Sequence, residues 1–254
     1  SLESRRRVLD DLQKSREGLG DAVKAILADR ARDPSKYPTI RGVMADLIET
    51  DRDHADLVEA ALGERLELLL VESLDGLMVS LPEFRQLEGR AAFAPTALPP
   101  AIRSIGAVPG ATPILEYVRC EPIARAWLER MLGDTFVVDE IETAVRLGRG
   151  PLAGCRIVTR SGELLESDGT LVLHPAETGD GGAGFAGVLK RRAELAEVVT
   201  ALSSLALRIA SLELDLSQVA SESGQQKVRV RELSEKLQES RRALIDANYQ
   251  GERL

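Results

Sequence analysis

Residues 195–219, LAEVVTALSSLALRIASLELDLSQV, place apolar side chains at alternating steps of three and four: Leu195, Val198, Leu202, Leu205, Ile209, Leu212, Leu216 and Val219. A helix turns every 3.6 residues, so this spacing draws one apolar stripe along it, the seam of a coiled coil. The register resumes at Val230, Leu233, Leu237 and Leu244, diluted by Ser223, Gln226, Ser240 and Ala247. Gly224 lies beside the weakest stretch, where a glycine costs about 1 kcal/mol of helix relative to alanine. Residues 189–254 are therefore expected to form a C-terminal coiled-coil arm. At the other end, Leu2, Leu9, Leu12, Leu19, Val23 and Ile26 obey the same rule, with Arg5 and Arg16 interrupting it. That predicts an N-terminal arm over 1–33, about 45 Å long at 1.5 Å per residue. The arms are expected to pair antiparallel within the chain, with Ile26 near Leu195 and Leu2 near Val219.

Pro34, Tyr37 and Pro38 end the first arm, and the glycine-rich run from Gly179 to Gly187 precedes the second. Residues 34–188 between them read as mixed α and β, so the expected class is α+β. Helices are predicted at Asp53–Leu62 and Ile123–Leu132, each closed by a glycine, Gly63 or Gly133, as a C-terminal cap. Strand-like runs follow, Leu66–Val71 and Thr135–Val138. Matching Ala60-Ala61-Leu62-Gly63 to Arg130-Met131-Leu132-Gly133, and Leu70-Val71-Glu72 to Val137-Val138-Asp139, reveals a diverged duplication with halves at about 34–115 and 116–188. Near its end, Cys155–Thr159, Glu163–Leu165 and Thr170–Leu173 alternate with Ser161-Gly162 and Asp168-Gly169, the pattern of a short antiparallel meander.

Composition narrows the chemistry. The net charge of -8 is uneven: residues 1–33 carry 8 basic and 7 acidic side chains, 34–188 carry 14 and 24, and 189–254 carry 11 and 10. A middle segment at -10 repels nucleic acid over most of its surface. Aromatics at 3% leave no stacking platform for single strands. Charged residues make up 29%, no contiguous apolar run approaches the roughly 18 residues that span a bilayer, and Arg5–Arg7 are followed by Asp10 and Asp11; neither membrane insertion nor export is expected. Cys120 and Cys155 are too isolated for a zinc knuckle, and fit a reducing compartment.

Several motifs carry a chemical suggestion and a plainer one. Gly182-Ala183-Gly184-Phe185-Ala186-Gly187 satisfies GxGxxG and opens a helix, yet no strand leads into it and no second strand of a βαβ unit follows. A flexible linker or a close backbone contact suits it better; a small-ligand or dinucleotide-binding domain using Gly182–Gly187 is the alternative. Asp51, Asp53, His54 and Asp56 have metal-ligand types but stand where a helix begins, and acids there favour its dipole. Asp139 and Glu142 have capping-box spacing. His174, before Pro175, lacks an evident partner. There is no GxxxxGK[ST] or GxSxG, so no enzyme, cofactor or metal site is expected. Lys190, Arg191 and Arg192 stand at the root of the second arm, with Arg156 and Arg160 as candidate neighbours. Three successive helical residues fan out over about 200° of the helix, so some of them must meet solvent. Two readings stay open, a solvated helix start and a phosphate contact.

Arm, duplicated α/β middle and returning arm together resemble the hinge of structural maintenance of chromosomes (SMC) proteins. Arg41-Gly42-Val43-Met44-Ala45-Asp46-Leu47-Ile48 is similar to that hinge's opening motif, and Ala61-Leu62-Gly63 with Val71-Glu72 to its first-half helix and strand. Val137-Val138-Asp139 and Arg156-Ile157-Val158-Thr159-Arg160-Ser161-Gly162-Glu163-Leu164 resemble its second-half strand and hairpin. The likeness covers roughly residues 19–192. It departs after Asp168-Gly169-Thr170, where the family usually has a TGG turn and this chain inserts Leu171-Val172-Leu173-His174-Pro175 before Gly179 and Gly181-Gly182.

The resemblance implies a dimerisation module at the apex of a long intramolecular coiled coil, with two hinges joined by their sheet edges and DNA touching the hinge–coil junction. On that basis Gly169, Gly179, Gly181 and Gly182 are expected at a homodimer contact. Lys190, Arg191, Arg192, Arg156 and Arg160 are expected at a weak DNA contact without sequence preference. The chain would then be a non-catalytic fragment of a chromosome-organising ATPase whose distant heads bind ATP and a kleisin-type subunit. The 27 Arg against 6 Lys suit a GC-rich bacterial genome, and with it a cytoplasmic, nucleoid-associated homodimer.

Overall fold

The computed structural model describes residues 1–98, 106–173 and 187–251. The chain divides into two units, Ser1–Val198 and Val199–Leu254. In order, its elements are α1 (Leu2–Lys14), α2 (Asp21–Arg32), β1 (Ile40–Val43), α3 (Met44–Leu47), β2 (Ile48–Thr50), α4 (Arg52–Leu62), β3 (Leu69–Val71), α5 (Leu74–Met78), α6 (Leu81–Phe84) and β4 (Phe93–Pro95). There follow β5 (Thr112–Pro113), β6 (Val118–Cys120), α7 (Pro122–Leu132), β7 (Thr135–Val138), α8 (Ile141–Gly148), β8 (Arg156–Thr159), β9 (Leu164–Leu165), β10 (Leu171–Val172) and α9 (Val188–Gly251).

The duplication is visible in the topology. In the first half β3 lies between β1, antiparallel, and β4, parallel. In the second, β7 lies between β5, antiparallel, and β8, parallel. Because β5 pairs with β7, residues 112–113 belong to the second sheet, slightly ahead of the boundary at about 115 read from the sequence. The halves meet through β2 and β6, where Ile48 faces Cys120, Glu49 faces Arg119 and Thr50 faces Val118. Glu49 and Arg119 are 70 positions apart and directly opposed, so this ladder runs through a local twofold relating the halves. α4 packs on α7 across the same axis.

Burial follows the periods. β3 and β7 are covered along their whole length, which is why they read as continuous apolar runs instead of alternating ones. The second sheet then continues as the expected meander, in the order β7-β8-β9-β10. Gly63 ends α4 at φ 52, ψ -133, a conformation costly for any residue with a Cβ. Gly133 also follows its helix but stays right-handed at φ -64, because the chain enters β7 directly. The capping box at Asp139 and Glu142 does not form: Glu140 precedes α8, and Asp139 instead accepts from Arg160 Nε at 2.7 Å.

The N-terminal arm departs from expectation. A single helix over 1–33 would carry Val23 and Ile26 into a seam; the structure breaks it between α1 and α2, with Arg16 at φ 52 and Gly18 at φ 92. α2 packs into the core, where Val23 and Ile26 are fully buried with Ile40, Val43, Val58 and Leu70. Periodicity alone cannot separate these cases, because a helix covering a core needs the same apolar stripe as a helix covering another helix. α1 alone runs beside the start of α9. The antiparallel sense holds, but Arg5 pairs with Glu194, and Glu17 O accepts from Arg191 at 2.8 Å, so the register differs from the one placing Ile26 there.

In the second unit the helix continues through Gly224, and the seam residues Leu205, Ile209, Leu212, Leu216 and Val219 are exposed. One 18-residue window within Val188–Ile245 reaches a mean hydropathy of 1.6, enough by length and composition to cross a membrane, although no contiguous apolar run is that long. Its aliphatic residues come in heptad steps separated by charges such as Glu197 and Arg208, the pattern of a coiled-coil seam.

Candidate functional site

Two places carry the features on which function can turn: the root of α9 and β10, the end of the second sheet among the described residues. At the root, Glu59 projects from the middle of α4, and its carboxylate is buried at 8% exposure. Oε2 accepts from the Gly187 N–H at 2.5 Å, and Oε1 from Leu189 and Lys190 at 2.5 and 3.1 Å. The first N–H groups of a helix have no partner within it, so α4 supplies the acceptor that α9 requires. Burial pushes the Glu59 pKa up, while the three N–H bonds pull it down by less. The folded form therefore takes a proton more readily than the unfolded one. The stabilisation from its protonated form is full in acid and declines as pH rises from the ordinary carboxylate range through the raised value.

Cations near a helix N-terminus are unfavourable, yet Lys190, Arg191 and Arg192 lie there. The structure resolves this by giving each an acceptor. Lys190 Nζ sits 2.7 Å from Asp56, and Arg191 reaches Glu17 O. Arg192 donates to the carbonyls of Ala45 and Ile48 at 2.8 and 3.2 Å, with Glu49 at 3.8 Å. The other two candidates do not join them. Arg156, with its side chain 12% exposed, grips Glu166 through two nitrogens and donates to Ala61 O at 2.8 Å; Arg160 pairs with Asp139. The five cations are thus spread over three places and serve as intramolecular ties. Sequence reasoning found the basic cluster but missed Glu59, since one glutamate on a polar-looking helix carries no signal until its burial is known.

The residues at the start of α4 are likewise separated by their partners. Asp51 binds Arg119 at 2.8 Å, Asp56 binds Lys190, and His54 stacks on Tyr117 with ring centroids 4.2 Å apart. Among the described residues there is no group of three or more side chains able to hold a metal ion. Of the GxGxxG segment, only Gly187 is described. Its N–H points at the Glu59 carboxylate, so a negative charge stands where a dinucleotide phosphate would need to sit.

At that end of the sheet, β10 is the last strand among the described residues, paired only with β9. Leu171, Val172 and Leu173 remain 42%, 38% and 65% exposed. Gly169 holds the preceding turn: it has φ 92, its N–H bonds Glu166 O at 2.9 Å, and Thr170 O accepts from Glu166 N at 2.8 Å. A three-residue hairpin turn requires a left-handed residue at this position. Gly179, Gly181, Gly182 and His174 lie outside the described residues.

Comparison with known proteins places this geometry. The family model described as the flexible hinge domain of SMC proteins matches residues 37–148, so β8–β10 complete the second sheet beyond the matched span. The chromosome partition protein Smc of Myxococcus xanthus is 32% identical over 204 residues, which cover 78% of this chain and 16% of that protein. Its counterpart in Rhodopirellula baltica is 28% identical over 230 residues, covering 86% and 18%. The chain thus spans less than a fifth of the length of these relatives. Among solved structures, an asymmetric dimer of the Geobacillus stearothermophilus SMC hinge domain superposes with a TM-score of 0.70 at 23% identity, over 84% of this chain and 85% of that one.

Proposed function

The chain carries the flexible hinge domain of an SMC protein followed by a coiled-coil helix, and from that premise we propose that it is a homodimerisation module joining the coiled-coil arms of a chromosome-organising protein. The observation that carries this reading is the outer edge of β10, unpaired among the described residues, with Leu171, Val172 and the following Leu173 exposed. Unpaired N–H and C=O groups on such an edge are a template for another strand. The Geobacillus hinge, whose fold this chain shares, is a dimer. Light scattering coupled to size exclusion at tens of micromolar tests the proposal: twice the chain mass is expected, and a monomeric mass would sink it.

For the longer protein we propose the chromosome partition role that the relatives are named for, in the cytoplasm and on the nucleoid. ATP and a kleisin-type subunit would act at the far ends of the coil, and the present segment would perform no chemistry. DNA contact at the module is proposed to be weak. The middle segment carries -10, and Lys190, Arg191 and Arg192 must exchange their present partners for phosphate. Two or three neutralised phosphates per chain give a log–log salt slope of about -2 to -3. Fluorescence anisotropy against ionic strength measures it, and a slope much steeper than -3 per chain would require a basic surface other than this one.

A further inference from the structure

Among the described residues, Glu59 is the one charged side chain in the buried class. Burying an ionised carboxylate is costly, and the cost is recovered only when its oxygens are well bonded. An apolar residue would fill the same space without it. We propose that Glu59 is a positioning residue: its carboxylate replaces the N-terminal cap that α9 cannot provide for itself, and thereby seats the root of that helix on α4.

Three observations support the assignment. The residue before α9 is Gly187 at φ 85, whereas the serine, threonine or aspartate that ordinarily caps a helix needs extended backbone there. A Cβ at this position would also lie 3.0 Å from the Arg191 guanidinium. A side-chain cap at position 187 is thus disfavoured by its left-handed backbone. Second, Glu59 meets the N-terminal N–H groups with both oxygens, Oε2 on Gly187 and Oε1 on Leu189 and Lys190. A carboxylate there is also favoured by the helix dipole. Third, the flanking cations fasten the same root to three segments, Lys190 to α4, Arg191 to the turn between α1 and α2, and Arg192 to the carbonyls of Ala45 and Ile48. The carboxylate seats the helix end, and the cations fix its rotation about its own axis. This holds whether or not the hinge dimerises.

Glu59→Met separates capping from space-filling. Hydrogen exchange read by mass spectrometry on peptides spanning 187–192 is expected to quicken about tenfold in this variant. The urea midpoint followed at Trp127 should fall only modestly, as for a lost helix cap, because three N–H donors lose their acceptor while the cost of burying a carboxylate is also removed, and the mass of the assembly should be unchanged. Exchange as slow as in the parent would show that Glu59 only fills space. Faster exchange throughout the hinge, well beyond 187–192, would show a general structural role; either outcome overturns the proposal. Should the Met variant fail to fold, Glu59→Gln carries the test. One carbonyl oxygen remains, so exchange should quicken about threefold within 187–192 alone, and unchanged or generally faster exchange would overturn the assignment.

Discussion

Leu171→Pro is expected to split the homodimer while leaving each hinge folded. In β10 the pair Leu171–Leu165 follows the pair joined by the Glu166 N–H to Thr170 O bond. Hydrogen-bonded and non-bonded pairs alternate in an antiparallel ladder, so the Leu171 N–H faces away from β9. Proline there removes an outward donor and leaves the β9–β10 bonds in place; edge strands tolerate it for this reason. A strand added from a partner would lose that bond and meet the pyrrolidine ring. We expect the dimer dissociation constant to rise at least about a hundredfold, about 2.8 kcal/mol, with an unchanged urea midpoint. Sedimentation equilibrium measures the first and Trp127 fluorescence the second, the indole being tied to Pro95 O at 2.7 Å across the two halves. Leu171→Ala serves as the control that keeps the donor. A proline variant that dimerises as tightly as the parent would remove β10 from the interface.

Ile26→Ala is expected to cost about 2–5 kcal/mol of hinge stability, the range for emptying a filled core site of this size. Ile26 is fully buried in the main core cluster. The paired measurement is Leu212→Ala, which lies on the same kind of seven-residue stripe but is 58% exposed. That change should leave the Trp127 transition within about 0.5 kcal/mol. Were α2 a coiled-coil arm instead of a core helix, the two substitutions would act alike on the hinge. Equal small effects at both positions would therefore refute the placement of α2.

The comparison of these two positions shows what periodicity can tell. Ile26 and Leu212 both stood on a seam by spacing, and both are helical, but only the fold distinguishes them: one stripe is buried in the core and the other is exposed. The break that makes this possible rests on Arg16 and Gly18 in the left-handed region. Gly18 permits such a turn without demanding it, and Arg16 gives no warning at all. The basic cluster tells the same story. Lys190, Arg191 and Arg192 were legible as an electrostatic anomaly at a helix start, and the anomaly was real. Its resolution lay in Asp56, Glu17 O and the Ala45 and Ile48 carbonyls, groups that local sequence cannot place beside them.

What the sequence determined by itself were the features encoded over short range. The 3.5-residue stripe of α9, the glycine-closed helices α4 and α7, the largely apolar strands β3 and β7 and the turn at Gly169 each depend on neighbours within a few residues. The duplication was legible because the same short signals recur 67 to 70 positions apart. Tertiary structure alone decided which partners those elements met: that β2 would pair with β6 through a local twofold, that α2 would enter the core, and that Glu59 would be buried beneath the start of α9. Such pairings are settled by burial and by the need of buried polar groups for partners, quantities summed over the whole fold, to which residues more than a hundred positions apart contribute equally.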